Sequence, residues 1–234
     1  MRKQSSRRLI IAIDGPAGSG KSSTAKALAK RVKIPYIDTG AMYRALTLKA
    51  MQKGVAFSDK KGLIALSKKI SIRLTGGDPA KQRVILDGKD VTTDIRLPKV
   101  TKNIFYVAQE PLIRHELVKM QRVMGEKRGG VMEGRDIGTV VFPKADYKFY
   151  FESTPQIRAK RRHRELVEAG NHVTLMAVLD DIKKRDKTDF ERKEGPLCQA
   201  KDAILIDTTP LTISQTVDRM LRIIEKSRPR AAKK

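Results

Sequence analysis

The residues best suited to chemistry lie near the start of the chain, where the apolar run Leu9–Ile13 leads into DGPAGSGKS. Gly15, Gly20, Lys21 and Ser22 have the spacing of a phosphate-binding loop. Glycines let successive backbone N–H groups turn toward a polyphosphate, and the lysine adds a positive charge. The serine hydroxyl is a suitable Mg²⁺ ligand, and the next helix adds its N-terminal dipole. The pattern predicts a nucleotide-phosphate site.

The surrounding sequence favours this interpretation over a flexible Gly/Ser turn before a helix. The loop follows a predicted strand, as a phosphate-binding loop must. The residues after it carry an apolar stripe at i, i+3, i+4 and i+7, which is typical of a half-buried helix. The stripe consists of Ala25, Leu28, Ala29 and Val32.

A second polar group follows the next predicted strand, in the segment DTGAMYR at residues 38–44. It offers the hydroxyl of Thr39, the phenol of Tyr43 and the guanidinium of Arg44 near a helix start. Ligands of α/β sheets bind at the carboxyl ends of the strands, so these groups can face one ligand. A helix cap with surface residues is the alternative, and the segment alone leaves both open.

A third group, EGRDIGT at residues 133–139, places Arg135 and Asp136 side by side between glycines. A guanidinium fork suits a phosphate, and a carboxylate accepts a hydrogen bond from the exocyclic amine of a base. The two residues can therefore serve both ends of one nucleotide. A structural ion pair is an equally good interpretation of the segment by itself.

Five cations follow a predicted helix start at Ser153 or Thr154, within the segment STPQIRAKRRHRE. On a helix they occupy several faces, so they cannot all reach one ligand. The segment is either a solvated basic helix or an arginine-bearing lid over a triphosphate. The five are Arg158, Lys160, Arg161, Arg162 and Arg164.

The segment RDKTDFER places Arg185, Asp189 and Arg192 at i, i+4 and i+7, which predicts one helix face. Taken alone, this spacing favours a salt-bridge ladder. The alternative is that Asp189 accepts hydrogen bonds from ribose hydroxyls while the two arginines hold phosphates.

The formal net charge of +24 over 234 residues is high for a protein that merely binds nucleotides. Two basic tails, residues 1–8 and 226–234, supply part of it. We interpret the first as a solvated tail rather than an export signal, since cleavage behind it would destroy the loop. Such a charge favours non-specific adhesion to nucleic acids. Aromatic residues amount to only 5%, which is low for a single-strand binder.

Cysteine, histidine and hydropathy patterns point to the reducing cytosol. Cys198 is the one cysteine, which excludes an internal disulfide. The three histidines (His115, His163 and His172) lack metal-ligand spacing. No apolar run approaches the roughly 20 residues that span a bilayer. We therefore expect a cytoplasmic protein without membrane contact.

Strand and helix patterns alternate between the tails, which predicts a parallel sheet covered on both sides. Alternating apolar residues around Ile70–Leu74 and RVILDGKDV break the alternation, and predict a small antiparallel insert over 63–97. Helices from about Lys99 to Lys127 lead back, and a last helix carries Ile213, Val217, Met220, Leu221 and Ile224 on one face. The predicted core strands are Leu9–Ile13, Ile34–Ile37, Gly130–Met132, Ala145–Phe151 and Ala203–Ile206.

Taken together, these segments resemble the bacterial-type cytidylate (CMP/dCMP) kinases over residues 9–224. The resemblance lies in IDGPAGSGKS, YIDTGAMYRAL, LDGKDVTTDIR, EGRDIGTVVFPKAD, RDKTDFER-x₃-PL and AKDAILIDTT, in that order. It implies an α/β P-loop nucleoside monophosphate kinase fold with a five-stranded parallel sheet flanked by helices. It further implies one kinase domain (9–225), with a CMP-binding region (38–127) that contains the antiparallel insert, and a mobile lid (153–170).

The resemblance also implies roles for individual residues, with Mg²⁺ as cofactor, ATP as donor and a monomeric state. ATP would be held by Gly15, Pro16, Ala17, Gly18, Ser19, Gly20, Lys21, Ser22 and Ser23, with Mg²⁺ on Ser22. CMP would be held by Thr39, Tyr43, Arg44, Arg114, Arg135, Asp136, Arg185, Asp189 and Arg192. Thr39, Arg114 and Asp136 would face the base, and Asp189, supported by Arg185, the ribose. The catalytic cations would be Lys21, Arg158, Arg162, Arg185 and Arg192.

Two positions depart from the family pattern. Phe105 stands where the family often carries a serine that touches the base, so base discrimination leans on Arg114 and Asp136. Glu133 stands where an aspartate is common. Two other functions remain open: a P-loop kinase for another small acceptor such as UMP, and an RNA-binding or ribosome-associated P-loop protein.

Overall fold

The structure, a computed structural model, describes residues 8–76 and 78–227. Its strands are β1 (Ile10–Asp14), β2 (Tyr36–Asp38), β3 (Ile72–Thr75), β4 (Arg83–Leu86), β5 (Lys89–Asp90), β6 (Gly130–Gly134), β7 (Tyr147–Glu152) and β8 (Ile204–Asp207). Its α-helices are α1 (Lys21–Val32), α2 (Thr39–Gln52), α3 (Lys60–Lys69), α4 (Pro98–Ala108), α5 (Pro111–Arg128), α6 (Pro155–Glu168), α7 (Leu175–Glu191) and α8 (Ile213–Ser227).

The central sheet has five parallel strands in the order β2-β6-β1-β7-β8. All five predicted core strands are therefore confirmed, with ends that differ by one or two residues. β1 lies in the middle and is almost entirely buried, because helices cover both faces of the sheet. The carboxyl ends of β1, β2 and β6 meet at one edge, and the predicted site segments begin there.

The predicted antiparallel insert is present as a sheet of β3, β4 and β5. Ile72 pairs with Leu86 and Thr75 with Arg83. The strands lie within the predicted range of 63–97, and its first residues, 63–69, belong to α3. The Asp59 side chain caps this helix at the backbone N–H of Gly62, at 2.9 Å. Leu63 and Ser67 are its buried positions, and their spacing is helical rather than alternating.

Two apolar cores hold the sheet and the insert in place. One lies between the sheet and helices α1 and α8, and includes Ile13, Leu28, Phe149 and Met220. The other joins α2, α4 and α5 to the insert, and includes Met42, Leu46, Ile95, Ile113 and Leu117. Together the two cores position the loops at the carboxyl edge of the sheet.

One residue of the predicted apolar face of α8 is exposed. Ile213 is 47% exposed, whereas Val217, Met220 and Ile224 are buried as predicted. Ile213 is the first residue of α8, where Thr212 and Gln215 form an exposed reciprocal cap. The apolar stripe therefore becomes buried only one turn into the helix.

Among the described residues, no helix is both long and apolar enough to cross a membrane. Cys198 is an exposed free thiol. Most of the two predicted basic tails, residues 1–7 and 228–234, lies outside the described residues.

Candidate active site

The predicted phosphate loop connects β1 to α1. Gly15 has φ +150°, and a Cβ there would lie 2.5 Å from the carbonyl oxygen of Phe151, so only glycine fits. Lys21 is buried, and its Nζ donates to the carbonyl oxygen of Pro16 at 2.6 Å and to the Ser19 hydroxyl at 3.3 Å. The ammonium group thus lies across its own loop, where a polyphosphate would take over these contacts.

The pKa of Lys21 is lowered to about 7, mainly by burial and also by the nearby Arg135 guanidinium. The carboxylates of Glu133, Asp189 and Asp14 act in the opposite direction but do not offset the desolvation of the ammonium group. A bound polyphosphate would supply further negative charge.

The Ser22 hydroxyl donates to Oε2 of Glu133 at 2.8 Å, and the phenol of Tyr36 donates to Oε1 of the same carboxylate. A hydroxyl and a carboxylate are hard oxygen donors, which Mg²⁺ prefers. The described residues contain no group of three His, Cys, Asp or Glu side chains that could form a protein cage for a metal. Mg²⁺ is usually bound by one or two protein oxygens together with phosphates and water, so Ser22 and Glu133 fit the ion.

Asp14, at the end of β1, positions the EGRDIGT loop. Its two carboxylate oxygens accept the backbone N–H groups of Ile137 at 2.8 Å and Gly138 at 2.7 Å. Burial raises the pKa of Asp14 to about 6, although both hydrogen bonds act in the opposite direction. The sequence pattern indicates no role for Asp14, but these two hydrogen bonds hold Arg135 and Asp136 beside the phosphate loop.

Asp136 forms a buried ion pair with Nη2 of Arg114, and its other oxygen lies 3.7 Å from Nη2 of Arg192. The Arg114 guanidinium also lies 5.5 Å from the ring centroid of Tyr43. Thus Asp136 pairs with Arg114. The alternative interpretation of the segment, an ion pair between Asp136 and its neighbour Arg135, is not what the structure has. These four residues, which the resemblance groups around CMP, lie together.

Gly195 is a site residue that the sequence did not reveal. Its carbonyl oxygen accepts from Nε of Arg192 at 2.6 Å. Its φ is +56°, and an added Cβ would collide with the Asp136 carboxylate and with Nη2 of Arg114. The positive φ and the close approach both require glycine. Its place between RDKTDFER and PL offered only a turn-forming glycine as a clue.

Arg135 donates from Nε to Oδ2 of Asp189 at 2.6 Å, and Arg192 lies 3.7 Å from Oδ1. The Arg135 guanidinium lowers the pKa of Asp189 despite the opposing effect of burial. Arg185 instead pairs with Asp181 at 3.3 Å, one turn earlier on α7. Asp189 is therefore supported by Arg135, not by Arg185 as the resemblance implied.

The predicted helix face across Arg185, Asp189 and Arg192 is wrong at its last position. Helix α7 ends at Glu191, and Arg192 has extended backbone angles of φ −64° and ψ 141°. The turn removes Arg192 from the helix and directs it toward Asp136 and Gly195. Of the predicted salt-bridge ladder, the contact between Asp189 and Arg192 is present, whereas Arg185 pairs with Asp181 instead.

Thr39 and Arg44 lie beside this group at the end of β2. The Thr39 hydroxyl donates to the carbonyl oxygen of Glu133 at 2.6 Å. Arg44 donates from Nη2 to Asp38 at 2.7 Å, while Asp38 also caps α2. Nε of Arg44 and Nη2 of Arg192 are buried and have no hydrogen-bond partner. Leaving a buried donor without a hydrogen bond is costly. Nη2 of Arg192 faces Oδ1 of Asp136 at 3.7 Å, too far for a hydrogen bond, so both nitrogens can still donate to an anion.

The α6 cations do occupy several faces, as expected. Arg158 is 3% exposed and donates to both oxygens of Asp186, at 3.0 and 2.6 Å. It also donates to the carbonyl oxygens of Ala17 at 3.0 Å and Ser153 at 2.9 Å. Its guanidinium thus connects the phosphate loop to α7. Sequence reasoning missed Asp186, although it lies inside RDKTDFER.

The other α6 cations lie away from this contact. Arg162 is 40% exposed and pairs with Glu165 at 2.9 Å. Arg161 donates to the carbonyl oxygen of Thr208 at 2.6 Å, and Lys160 and Arg164 are exposed. Phe105, on α4, is also exposed and packs edge-on against Tyr106, with ring centroids 5.4 Å apart.

A strand–loop–helix phosphate site on a parallel five-stranded sheet, bordered by arginines and carboxylates, defines a P-loop nucleotide-binding protein of the α/β class. A sequence profile of the cytidylate kinase family matches residues 11–226. The cytidylate kinase of Caldanaerobacter subterraneus is 46% identical over 93% of this chain and 95% of its own. That of Desulforamulus reducens is 47% identical over 93% and 97%.

The chain belongs to the cytidylate kinase family, which consists of phosphotransferases, and the resemblance seen in the sequence is confirmed. A solved structure of an uncharacterized protein from Eubacterium ventriosum is similar in fold, with a TM-score of 0.52 and 18% identity. It covers 94% of this chain and 99% of that one.

Proposed function

We propose that this protein transfers the γ-phosphoryl group of ATP to CMP, and to dCMP, to give CDP or dCDP and ADP. The observation that carries the proposal is the buried Arg114–Asp136 pair beside two buried guanidinium nitrogens that make no hydrogen bond, on Arg44 and Arg192. A carboxylate can accept from the exocyclic amine of cytosine, and guanidinium donors suit a phosphate. The site thus offers matching groups for both ends of CMP.

On the donor side, we propose that residues 15–23 hold the phosphates of ATP, with Lys21 as the fixed charge. Mg²⁺ would be held by Ser22 with Glu133 next to it, and would neutralise charge on the phosphates. Arg158 would act as a positioning residue rather than contact the transferring group, because its guanidinium is already shared among Asp186, Ala17 and Ser153.

On the acceptor side, we propose that Arg44, Arg135 and Arg192 bind the CMP phosphate with Tyr43 beside it. Thr39, Arg114 and Asp136 would face cytosine. Asp189, held by Arg135, would accept from the ribose hydroxyls, and Arg185, on the same helix, would add positive charge to the site. Residues 38–127 would form the acceptor region.

The reaction needs no general base. The nucleophile is a phosphate oxygen of CMP, and the second pKa of a phosphate monoester is about 6, so it is ionised near neutral pH. Catalysis then consists of aligning donor and acceptor and stabilising charge on the transferring group. Residues 153–170 would act as a lid that brings Arg162 over the phosphates and excludes water, which would otherwise compete as acceptor.

ADP release with a panel of nucleoside monophosphates tests the proposal. CMP and dCMP should be the best acceptors, and Lys21→Ala and Arg192→Ala should abolish most of the CMP-dependent rate. A higher rate with UMP than with CMP, or near-normal rates in both variants, would contradict it. A cytoplasmic location, a monomeric state and non-specific adhesion to nucleic acids through the basic tails complete the proposal.

A further inference from the structure

Three side chains form a hydrogen-bonded chain from the edge strand β2 to the phosphate loop. Tyr36 donates to Oε1 of Glu133, and Ser22 donates to Oε2 at 2.8 Å. Tyr36 pairs with Val131 of the neighbouring strand β6, and Glu133 lies two residues further along. Residues two apart point to the same face of a sheet, so the phenol reaches along the sheet to the carboxylate. Tyr36 and Glu133 are both buried.

Tyr36 is itself held firmly. The Lys26 ammonium lies 5.6 Å from its ring centroid, and the side-chain amide of Gln82 donates to its carbonyl oxygen. Burial, with the negative charges of Asp38 and Glu133, raises the pKa of the phenol above its ordinary value. An ordinary phenol is protonated throughout the neutral range, so the hydroxyl is a donor to the carboxylate.

We propose that Tyr36 is a positioning residue for the metal–nucleotide complex. Its hydroxyl fixes Glu133 so that Oε2 faces Ser22 and the oxygen shell of Mg²⁺. A glutamate side chain is flexible, and without the Tyr36 hydroxyl the carboxylate loses one of the two hydrogen bonds that orient it. Groups that orient metal ligands in this way affect metal affinity strongly. The inference rests on the proposed use of Mg²⁺ with ATP at this loop.

The test is the affinity for ATP, measured by calorimetry with Mg²⁺ and with EDTA, in the wild type and in Tyr36→Phe. Phenylalanine keeps the ring and removes one oxygen atom. We expect the increase in ATP affinity that Mg²⁺ produces to be about tenfold smaller in Tyr36→Phe than in the wild type. The affinity for ATP in EDTA should be unchanged. The matched control is Tyr147→Phe on β7, whose hydroxyl donates to the carbonyl oxygen of Ile224 at 3.1 Å. It should respond to Mg²⁺ like the wild type.

A second pair of variants tests whether Tyr36 acts through Glu133. In a Glu133→Gln background, Tyr36→Phe should cause no further loss of the Mg²⁺ response, which a general loss of stability would not reproduce. A wild-type Mg²⁺ response in Tyr36→Phe would overturn the inference. So would an equally large effect of Tyr36→Phe on the Mg²⁺ response in the Glu133→Gln background. If ATP binding by the wild type does not respond to Mg²⁺, the proposed role of the ion fails, and the inference fails with it.

Discussion

The contact between Arg158 and Asp186 predicts that Arg158 stabilises the fold, which a purely catalytic role for Arg158 would not. Asp186→Asn keeps the shape of the side chain and removes its charge. The Arg158 side chain is 3% exposed and that of Asp186 14%, so the ion pair is largely screened from water. The substitution therefore leaves a buried guanidinium without its counter-charge.

Breaking a buried ion pair by removing one partner costs about 3–5 kcal/mol. Asparagine retains one acceptor oxygen, and Arg158 keeps the carbonyl oxygens of Ala17 and Ser153. We therefore expect the lower end, about 3 kcal/mol. For a domain of this size, each kcal/mol shifts the melting temperature by about 2–4 °C, so Asp186→Asn should melt about 6–12 °C below the wild type.

Urea unfolding and thermal melting, both followed by circular dichroism, measure this loss. The control is Arg162→Ala on α6, one turn after Arg158, because its ion pair with Glu165 is exposed, with side chains 40% and 62% accessible. Exposed pairs contribute about 0–1 kcal/mol, so this variant should melt close to the wild type. If Asp186→Asn also melts within about 2 °C of the wild type, the structural role of Arg158 is refuted.

Three further predictions concern the two halves of the site. Because the pKa of Lys21 is lowered to about 7, the group is mostly neutral at about pH 8 in the free protein, and a bound polyphosphate should raise the pKa again. At that pH, ATP binding should be accompanied by the uptake of close to one proton more in the wild type than in Lys21→Ala. Calorimetry in buffers of different ionisation enthalpy measures this uptake, and equal values in the two proteins would contradict the prediction. Gly195→Ala should raise the KM for CMP by about tenfold, because the added Cβ would displace the Asp136 carboxylate. The control is Gly54→Ala, at φ +65° with no atom within 4 Å of the added Cβ, and it should leave the KM unchanged. Equal effects of the two variants would exclude a specific contact. Arg192→Ala should lower kcat/KM for CMP by at least about a hundredfold with ATP affinity nearly unchanged, and a selective loss of ATP affinity would reverse its assignment.

The fold was largely predictable because its elements follow local patterns. Buried parallel strands appear as short apolar runs, and the phosphate loop combines glycine spacing with a strand before it and a helix after it. The insert was recognised by the alternation around Ile70–Leu74, but its first residues, 63–69, belong to α3, where Leu63 and Ser67 are buried at helical spacing.

The partners of the charged residues were not predictable from spacing. Arg135 and Asp136 are adjacent in sequence, yet they pair with Asp189 and Arg114, which come from α7 and α5. Such pairs depend on how distant elements pack, and one sequence does not show that. For the same reason, the end of α7 before Arg192 and the burial of Arg158 became visible only in three dimensions.

The central claim is that Asp136, held by Arg114, recognises the cytosine of the phosphate acceptor. The most direct measurement is kcat/KM for CMP and for UMP, in the wild type and in Asp136→Asn, with ATP saturating. The account predicts a strong preference for CMP in the wild type. It also predicts a loss of at least about tenfold in that preference in Asp136→Asn, since the amide no longer provides a charged acceptor for the amine of cytosine. An unchanged ratio of CMP to UMP in the variant, or a wild type that prefers UMP, would contradict it.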